Sequence, residues 1–395
     1  MRIRVTYRSV AAVATSVMVG GLLVATPLPA AALSIIDLGT LPGGTFSYAV
    51  DINDAGVVAG NASLASGGTH AVRWDSRGVI TDLGALPGAR DSLASAVNDE
   101  GVVIGSSSSG TPVRWSSSGV ITELRRLPGD EVAGVRAINN GGTAVGFSSN
   151  VIPIGTFPET EEHAVRWDAS GTPTALAVVQ GSTDSAATEI NDNGVIAGYA
   201  LVGGRQHAVR WNTDGTVTDL GLLPGGTFSF PDGINAAGVI IGSANPSASA
   251  GSTAVRWNAQ GVIMALPSLP SGVGSRAEQI NDVGAIAGFS NIEPGTFRAV
   301  RWSAAGAVTD LGTLRGHDTS FAVGINDAGV VVGNSELWAD SRSSRAVRWA
   351  PDGTITNLGL LARGTYSLAL AINDSGTILG HADVRDGENR AVIWR

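Results

Sequence analysis

Short runs of β-branched and small apolar residues alternate along the chain with turns rich in Gly, Asn and Asp. No stretch after residue 32 sets apolar residues at the i, i+3, i+4 spacing of an amphipathic helix, so the pattern predicts strands throughout. The pattern is also periodic. The stretch 47–74 reads S-Y-A-V-D-I-N-D-A-G-V-V-A-G, a variable loop, then H-A-V-R-W, and it recurs eight times.

Aligned on Asn, the copies carry Asn53, Asn98, Asn139, Asn191, Asn235, Asn281, Asn326 and Asn373, spaced 41 to 52 residues apart. Gly follows each Asn by three residues and again by seven, and each copy closes on Trp, from Trp74 to Trp394. A period near 45 suits four short strands better than a pair of helices. The first copies place these strands at 47–52, 57–60, 70–74 and 79–83. The Asn-Asp-Ala-Gly segment 53–56 and the segment 75–78 are tight turns, in which the Asx side chain bonds locally and Gly takes positive φ.

Two connections are longer: the G-T-L-P-G-G-T-F segment 39–46 and the variable loop that follows Gly60. In an antiparallel up-and-down sheet both fall at one end of the strands, and the tight turns fall at the other. One face is therefore uniform and the opposite face varied. Eight such units arranged radially predict an all-β, eight-bladed β-propeller of four-stranded antiparallel blades, with the 47–52 type of strand innermost. Strand 35–38 lacks a preceding A-V-R-W, and 391–394 lacks a following outer strand. Each supplies what the other lacks, so the N-terminal strand is expected to complete the last blade and close the ring.

Residues 1–32 begin with Arg2, Arg4 and Arg8, continue through an apolar run at 10–25, and end in Ala30-Ala31-Ala32. That succession is expected to be a cleaved secretory signal. The remainder, 33–395, is expected to form one propeller domain, secreted and extracellular, with no membrane span after cleavage. All 25 basic residues are Arg and there is no Cys. Removing Arg2, Arg4 and Arg8 takes the net charge from −9 to −12, which argues against nucleic acid as a partner.

The repeated polar residues read as structure. Arg73 and its counterparts are expected to pair with carboxylates such as Asp82 across the outer hairpin. Trp74 and its counterparts are expected to pack between blades, the Gly of V-V-A-G leaving room for the ring. His70, His163 and His207 share one repeat position, which spreads them around the ring instead of converging them on a metal. His317 and His381 are expected at the surface. The N-D-x-G turns lack the acid series of a calcium loop. No metal, cofactor or catalytic residue is expected.

Ligand binding is sought where copies differ. The variable loop is longest at 147–162, with Phe157, Glu159, Glu161 and Glu162. Loop 334–344 holds Trp338, the Trp that stands outside the repeat position, and the sixth unit adds Phe297. Phe46, Phe228 and Tyr366 occupy equivalent places in the crossing loops. All fall on the varied face, where aromatics with scattered carboxylates suit a sugar or peptide surface.

The unit D-L-G-x-L-P-G-G-x-x-S-x-A-x-x-I-N-x-x-G-x-V-x-G followed by H-A-V-R-W resembles the bacterial HAF repeat of exported proteins. The resemblance runs from about residue 35 to 395, with Val in the Phe place of His-Ala-Phe throughout, as at Val72. It implies an extracellular or cell-surface repeat protein and carries no catalytic residues to transfer. The reading that results is a secreted, monomeric, non-catalytic propeller binding a glycan or an extracellular protein. An extracellular polysaccharide hydrolase or lyase and a structural envelope protein are the alternatives.

Overall fold

The computed structural model describes residues 33–108, 110–152, 159–270, 272–384 and 387–395. The signal-like segment 1–32 lies outside them. The described residues form strands and turns without a helix. The first strand, β1 (Ile35–Asp37), precedes a blade made of β2 (Ser47–Ile52), β3 (Val58–Ser63), β4 (Thr69–Trp74) and β5 (Ile80–Asp82), hydrogen-bonded in that order. Seven blades repeat this meander, and the eighth is Ser367–Ile372, Ile378–Asp383 and Asn389–Trp394 with β1 as its fourth strand. The expected closure is present: Ile35 pairs with Trp394 and Asp37 with Val392.

Every inner strand carries a bulge at the same place, between Ala49 and Asp51 in β2 and between Ala369 and Ala371 in the eighth blade. The extra residue bends the strand and sharpens its twist. It also presses a carbonyl onto the next strand. A Cβ on Gly60 would lie 2.1 Å from the Tyr48 oxygen, and one on Gly380 would lie 2.0 Å from the Leu368 oxygen. The same Cβ atoms would meet the rings of Trp74 and Trp394 at 2.7 and 2.6 Å. The second repeat Gly is therefore required by bulge and Trp together.

The core is divided into eight clusters, each drawn from two neighbouring blades. Trp74, Ile52 and Val72 of the first blade pack with Leu379, Ala391 and Ile393 of the eighth. The repeat Trp side chains are buried, and the indole N–H groups of Trp74, Trp167, Trp211, Trp257 and Trp302 reach backward to a backbone carbonyl, as Trp74 Nε1 does to Leu38 at 2.7 Å and Trp257 Nε1 to Leu220 at 3.0 Å. Those of Trp115, Trp349 and Trp394 are buried without a hydrogen-bond partner among the described residues. A ring buried this way offers no face to a sugar.

The outer hairpin differs from expectation by one residue. Gly78 N–H donates to the Asp75 carbonyl and Asp75 N–H to that of Val79, so the turn takes in Val79 and the first pair is Trp74 with Ile80. A one-residue slip moves every side chain to the other face. Arg73 consequently lies opposite Thr81, and Asp82 lies opposite Val72. Asp82 bonds His70 Nδ1 at 2.8 Å, and Asp219 bonds His207 at 2.9 Å. Arg73 instead crosses to the next blade, donating to the Gly101 and Ser117 carbonyls at 2.8 and 2.7 Å. Arg301 does likewise toward Gly329 and Pro351. The Arg series joins blades by way of carbonyls, and two of its expected carboxylate partners, Asp82 and Asp219, serve His instead.

Candidate ligand-binding face

The two ends of the ring are built differently. At the uniform end each repeat Asn does two jobs. Its Oδ1 accepts the N–H four residues on, as Asn53 does from Val57 at 2.8 Å, which closes its own turn. Its Nδ2 donates to the carbonyl of the next blade's Asn: Asn53 to Asn98, Asn98 to Asn139, and so on around to Asn373, which returns to Asn53 at 3.0 Å. The eight bonds form a closed, buried circuit. In the sequence this Asn shows only as a turn residue. Its donor to a partner some 45 residues away is invisible in a local pattern.

A second circuit runs beside the first through the residue after each Asn. Asp54 N–H donates to Asp99 Oδ1, Asp99 N–H to Asn140 Oδ1, Asn140 N–H to Asp192 Oδ1, Ala236 N–H to Asp282 Oδ1, Asp282 N–H to Asp327 Oδ1, Asp327 N–H to Asp374 Oδ1, and Asp374 N–H to Asp54 Oδ1. Six carboxylates thus stand around one end of the ring. Partial burial, with the neighbouring charges of Asp374, Asp99 and Asp327, raises the Asp54 carboxyl to about 6.

At the varied end the crossing and variable loops are tied together: Ser63 Oγ accepts the Thr45 and Phe46 amides at 2.7 and 3.1 Å. Arg298, Arg345 and Arg390, which take the His place in three units, donate to the carbonyls of Asp318, Thr365 and Thr45 in the following crossing loops. These staples hold the loops on which aromatic residues gather.

The structure brings Phe297 and Trp338 together. Their ring centroids are 5.4 Å apart, and Phe297 meets Phe289 edge-on at 5.6 Å and lies tilted against Phe321 at 5.1 Å, making one cluster from the sixth and seventh blades. Trp338 remains 55% exposed. Its backbone N–H donates to Asp318 Oδ1 at 2.8 Å, and a Cβ on Gly295 would lie 3.2 Å from its indole nitrogen, so the neighbouring blade's loop supports the ring. Phe289 and Phe321 sit inside strands, where an aromatic residue reads as core, and several other units carry aromatics at the same positions, among them Tyr48, Phe147, Tyr199 and Phe230.

A second group joins the eighth and first blades. Phe46 packs on Tyr48 at 5.3 Å and Tyr48 meets His381 edge-on at 5.3 Å. Tyr366 O–H donates to Asn389 Oδ1, and Asn389 Nδ2 donates to the Tyr48 hydroxyl at 2.8 Å. His381, expected at the surface, is instead held at this blade junction, with Nε2–H donating to the Ala49 carbonyl at 2.9 Å; burial lowers its pKa. His317, half-buried, bonds Ser335 Oγ through Nδ1 at 3.1 Å.

The remaining predicted residues lie elsewhere. Phe228 fastens its crossing loop, its N–H donating to Asn245 Oδ1 at 3.0 Å. Phe157 lies outside the described residues, and Glu159 begins the strand Glu159–Trp167 opposite Ile152. Glu161 Oε1 stands 3.8 Å from His163 Nε2, and Asp130 Oδ2 lies 3.5 Å from His163 Nδ1. The neighbouring Glu162 accepts the Tyr199 hydroxyl at 2.7 Å; burial, and after it this bond, raises the Tyr199 pKa. Among the described residues no three acid or imidazole side chains converge as a chelating metal group.

Fold and site together define a closed eight-bladed β-propeller with one repetitive face and one aromatic, varied face. No family model matches the chain, and no curated protein matches it. Solved structures similar to it include a puromycin hydrolase S511A mutant complexed with PGG, 12% identical over 84% of this chain and 57% of that one, with a TM-score of 0.52. A Mycobacterium tuberculosis puromycin-hydrolyzing peptidase is 13% identical over 85% of this chain and 58% of its own, at 0.51. Porphyromonas gingivalis dipeptidyl peptidase 4 is 10% identical over 82% and 55%, at 0.53. The chain spans a little over half the length of each. At such identity the likeness is one of fold alone.

Proposed function

We propose that this chain is an exported, non-catalytic propeller of the HAF-repeat kind that binds a glycan on its varied face, centred on Trp338. The observation that carries the reading is the Phe289–Phe297–Phe321–Trp338 cluster. Three half-buried rings support a fourth that stays 55% exposed. An indole held in place by packing presents a rigid apolar face with a polar N–H at its edge. That combination suits the mixed apolar and hydroxyl surface of a sugar ring and loses little side-chain entropy on binding. Flanking Arg298, Asp318 and Asp340 supply hydrogen-bonding groups.

The reading without chemistry rests on how the varied-face acids are used. Glu162 is engaged by Tyr199, and Asp318 by the Trp338 amide. The experiment is affinity electrophoresis of the purified protein through gels containing bacterial or plant polysaccharides, with Trp338→Ala alongside. Retardation by a particular polysaccharide, abolished by Trp338→Ala, supports the proposal. Retardation by none, with recovery of an extracellular protein that still binds Trp338→Ala, defeats it. Release of reducing ends from a retarding polysaccharide would move the assignment to a hydrolase.

A further inference from the structure

One residue of the varied face breaks a backbone rule that its sister loops keep. The crossing loops turn through the same bond, as Gly44 N–H donates to the Leu41 carbonyl and Gly364 N–H to that of Leu361, both at 2.9 Å. The third residue of such a turn takes positive φ, which favours Gly. Gly43, Gly88, Gly129, Gly181, Gly225 and Gly316 hold that place, with φ from 75° to 96°. In the loop that enters the eighth blade the residue is Arg363, at φ 69°. A side chain in this conformation carries strain that Gly would not. No contact within the fold offsets it: Arg363 is exposed, and among the described residues its guanidinium has no hydrogen bond or ion pair.

The Arg363 loop is fastened to the hairpin that presents Trp338. Trp338 and Ala339 form the tip of that hairpin, closed by the pairing of Leu337 with Asp340 and by Leu337 N–H on Ser343 Oγ at 2.7 Å. On one side, Asp318 of crossing loop 314–319 accepts the Trp338 amide, and that loop carries Arg315 where five units have Pro. On the other side, Arg345 Nη1 donates to the carbonyls of Arg342 at 3.4 Å and Thr365 at 2.9 Å, so one nitrogen joins the hairpin to the loop of Arg363. The Thr365 and Tyr366 amides bond Asp383 Oδ1 at 2.6 and 2.9 Å, which fixes that loop in turn. Arg315 and Arg342 are exposed, and their guanidinium groups are also without a hydrogen bond or ion pair among the described residues.

The charge of this sector runs against that of the chain. Segments 314–319, 337–345 and 361–366 hold four Arg (315, 342, 345, 363) against Asp318 and Asp340, a local charge of +2 where the whole chain has −9. The half-buried Glu336 behind the hairpin lowers it to +1. Asp318 and Asp340 are each engaged by a backbone amide, of Trp338 and Arg342 respectively. The matching loops of the third unit, four blades away across the ring, carry Asp130, Glu131, Glu161 and Glu162 and no Arg. The cationic excess therefore belongs to the Trp338 sector and not to the varied face at large.

We propose that the polysaccharide bound at Trp338 is anionic, its carboxylate or sulfate groups pairing with Arg363, Arg342 and Arg315 while a sugar ring packs on the indole. This rests on the reading of Trp338 as a glycan platform. A guanidinium donates two parallel N–H bonds to either kind of acid group and keeps its charge at any working pH. Arg363 is then a specificity residue, kept in a strained turn because binding and not folding requires its side chain.

The test measures binding of the purified protein to immobilised polygalacturonate, its methyl-esterified form, dextran sulfate and dextran at low and high salt, with Arg363→Gly and Trp338→Ala in parallel. Gly fills the same place in six sister loops, so Arg363→Gly should keep its thermal midpoint. The expected result is binding to an acidic polymer and not to its neutral counterpart, weakened by salt. Arg363→Gly should lower that affinity about tenfold, and Trp338→Ala should abolish it. Preference between polygalacturonate and dextran sulfate tells carboxylate from sulfate. Neutral polymers bound as tightly as acidic ones, or an unchanged affinity in Arg363→Gly, overturns the proposal and leaves the glycan platform standing as long as Trp338→Ala abolishes binding. Acid binding that persists in Trp338→Ala overturns both, as does the absence of binding to any of the four polymers.

Discussion

The two ends of this ring are made from the same repeat but obey different rules. At the uniform end every blade repeats one solution: an Asn that closes its own turn and grips the next blade, in a circuit that Asn373 completes on Asn53. At the varied end the corresponding positions diverge, and aromatic residues collect at blade junctions, sixth to seventh, eighth to first and, as the single pair Tyr199–Phe230, fourth to fifth. Repetition marks what each blade needs from its neighbour. Divergence marks what the ring as a whole presents to solvent. A substitution at one end should therefore disturb stability, and one at the other should disturb binding.

The largest expected effect tests the repetitive framework. Gly380→Ala sets a Cβ against both the Leu368 carbonyl and the Trp394 ring, and we expect a loss of about 3 kcal/mol or more, read as a lower urea midpoint at an unchanged slope. A cost below about 1 kcal/mol would mean that the bulge yields easily. Deleting residues 34–39 removes β1, the Ser34 bonds to Arg395, and the Leu38 carbonyl that receives the Trp74 indole. The expected outcome is a lower thermal midpoint and proteolysis beginning in the first or eighth blade. Unchanged stability would contradict closure by that strand.

Next in size is the Asn circuit. Asn326→Ala strands the Asn373 carbonyl and the Val330 amide, at an expected cost of about 2 kcal/mol. The acids at the same end give a smaller, pH-dependent term. The Asp54 carboxyl is raised from 3.8 to about 6 in the folded state, chiefly by burial, so between these values the folded chain binds more protons than the unfolded one. Stability from this group is fully present below about 4 and is lost as the pH rises through 6. The midpoint should therefore rise on going from pH 7 to pH 5, and less so in Asp54→Asn. A midpoint that falls over that interval would show that other groups outweigh the acidic circuit.

The sequence made the ring legible because its information there is redundant. Eight copies of one period fix blade number, strand order and closure, whatever any single copy does. What it concealed was nonlocal. The outer hairpin register depends on whether Val79 belongs to the turn, and that one residue decides whether Asp82 serves Arg73 or His70. The Asn circuit and the His381 contact with Tyr48 join residues far apart in the chain. At the candidate site, Phe297 and Trp338 were visible as departures from the repeat. Phe289 and Phe321 were not, because a Phe within a β-strand looks like core until the fold shows which end of the strand it occupies.

The smallest effect on stability should come from the varied face. Trp338→Ala removes a ring that is more than half exposed, and its unfolding free energy should stay within about 0.5 kcal/mol of the parent. The most direct measurement of the binding claim uses the same residue. The eight repeat Trp are buried, which leaves Trp338 as the exposed indole accessible to a quencher in solution. Acrylamide quenching of tryptophan emission should therefore show one accessible fraction that disappears in Trp338→Phe. A polysaccharide that binds as proposed should shield that fraction in the parent protein. Full quenching of Trp338 in the presence of a saturating, demonstrably bound polysaccharide would contradict a binding face centred there.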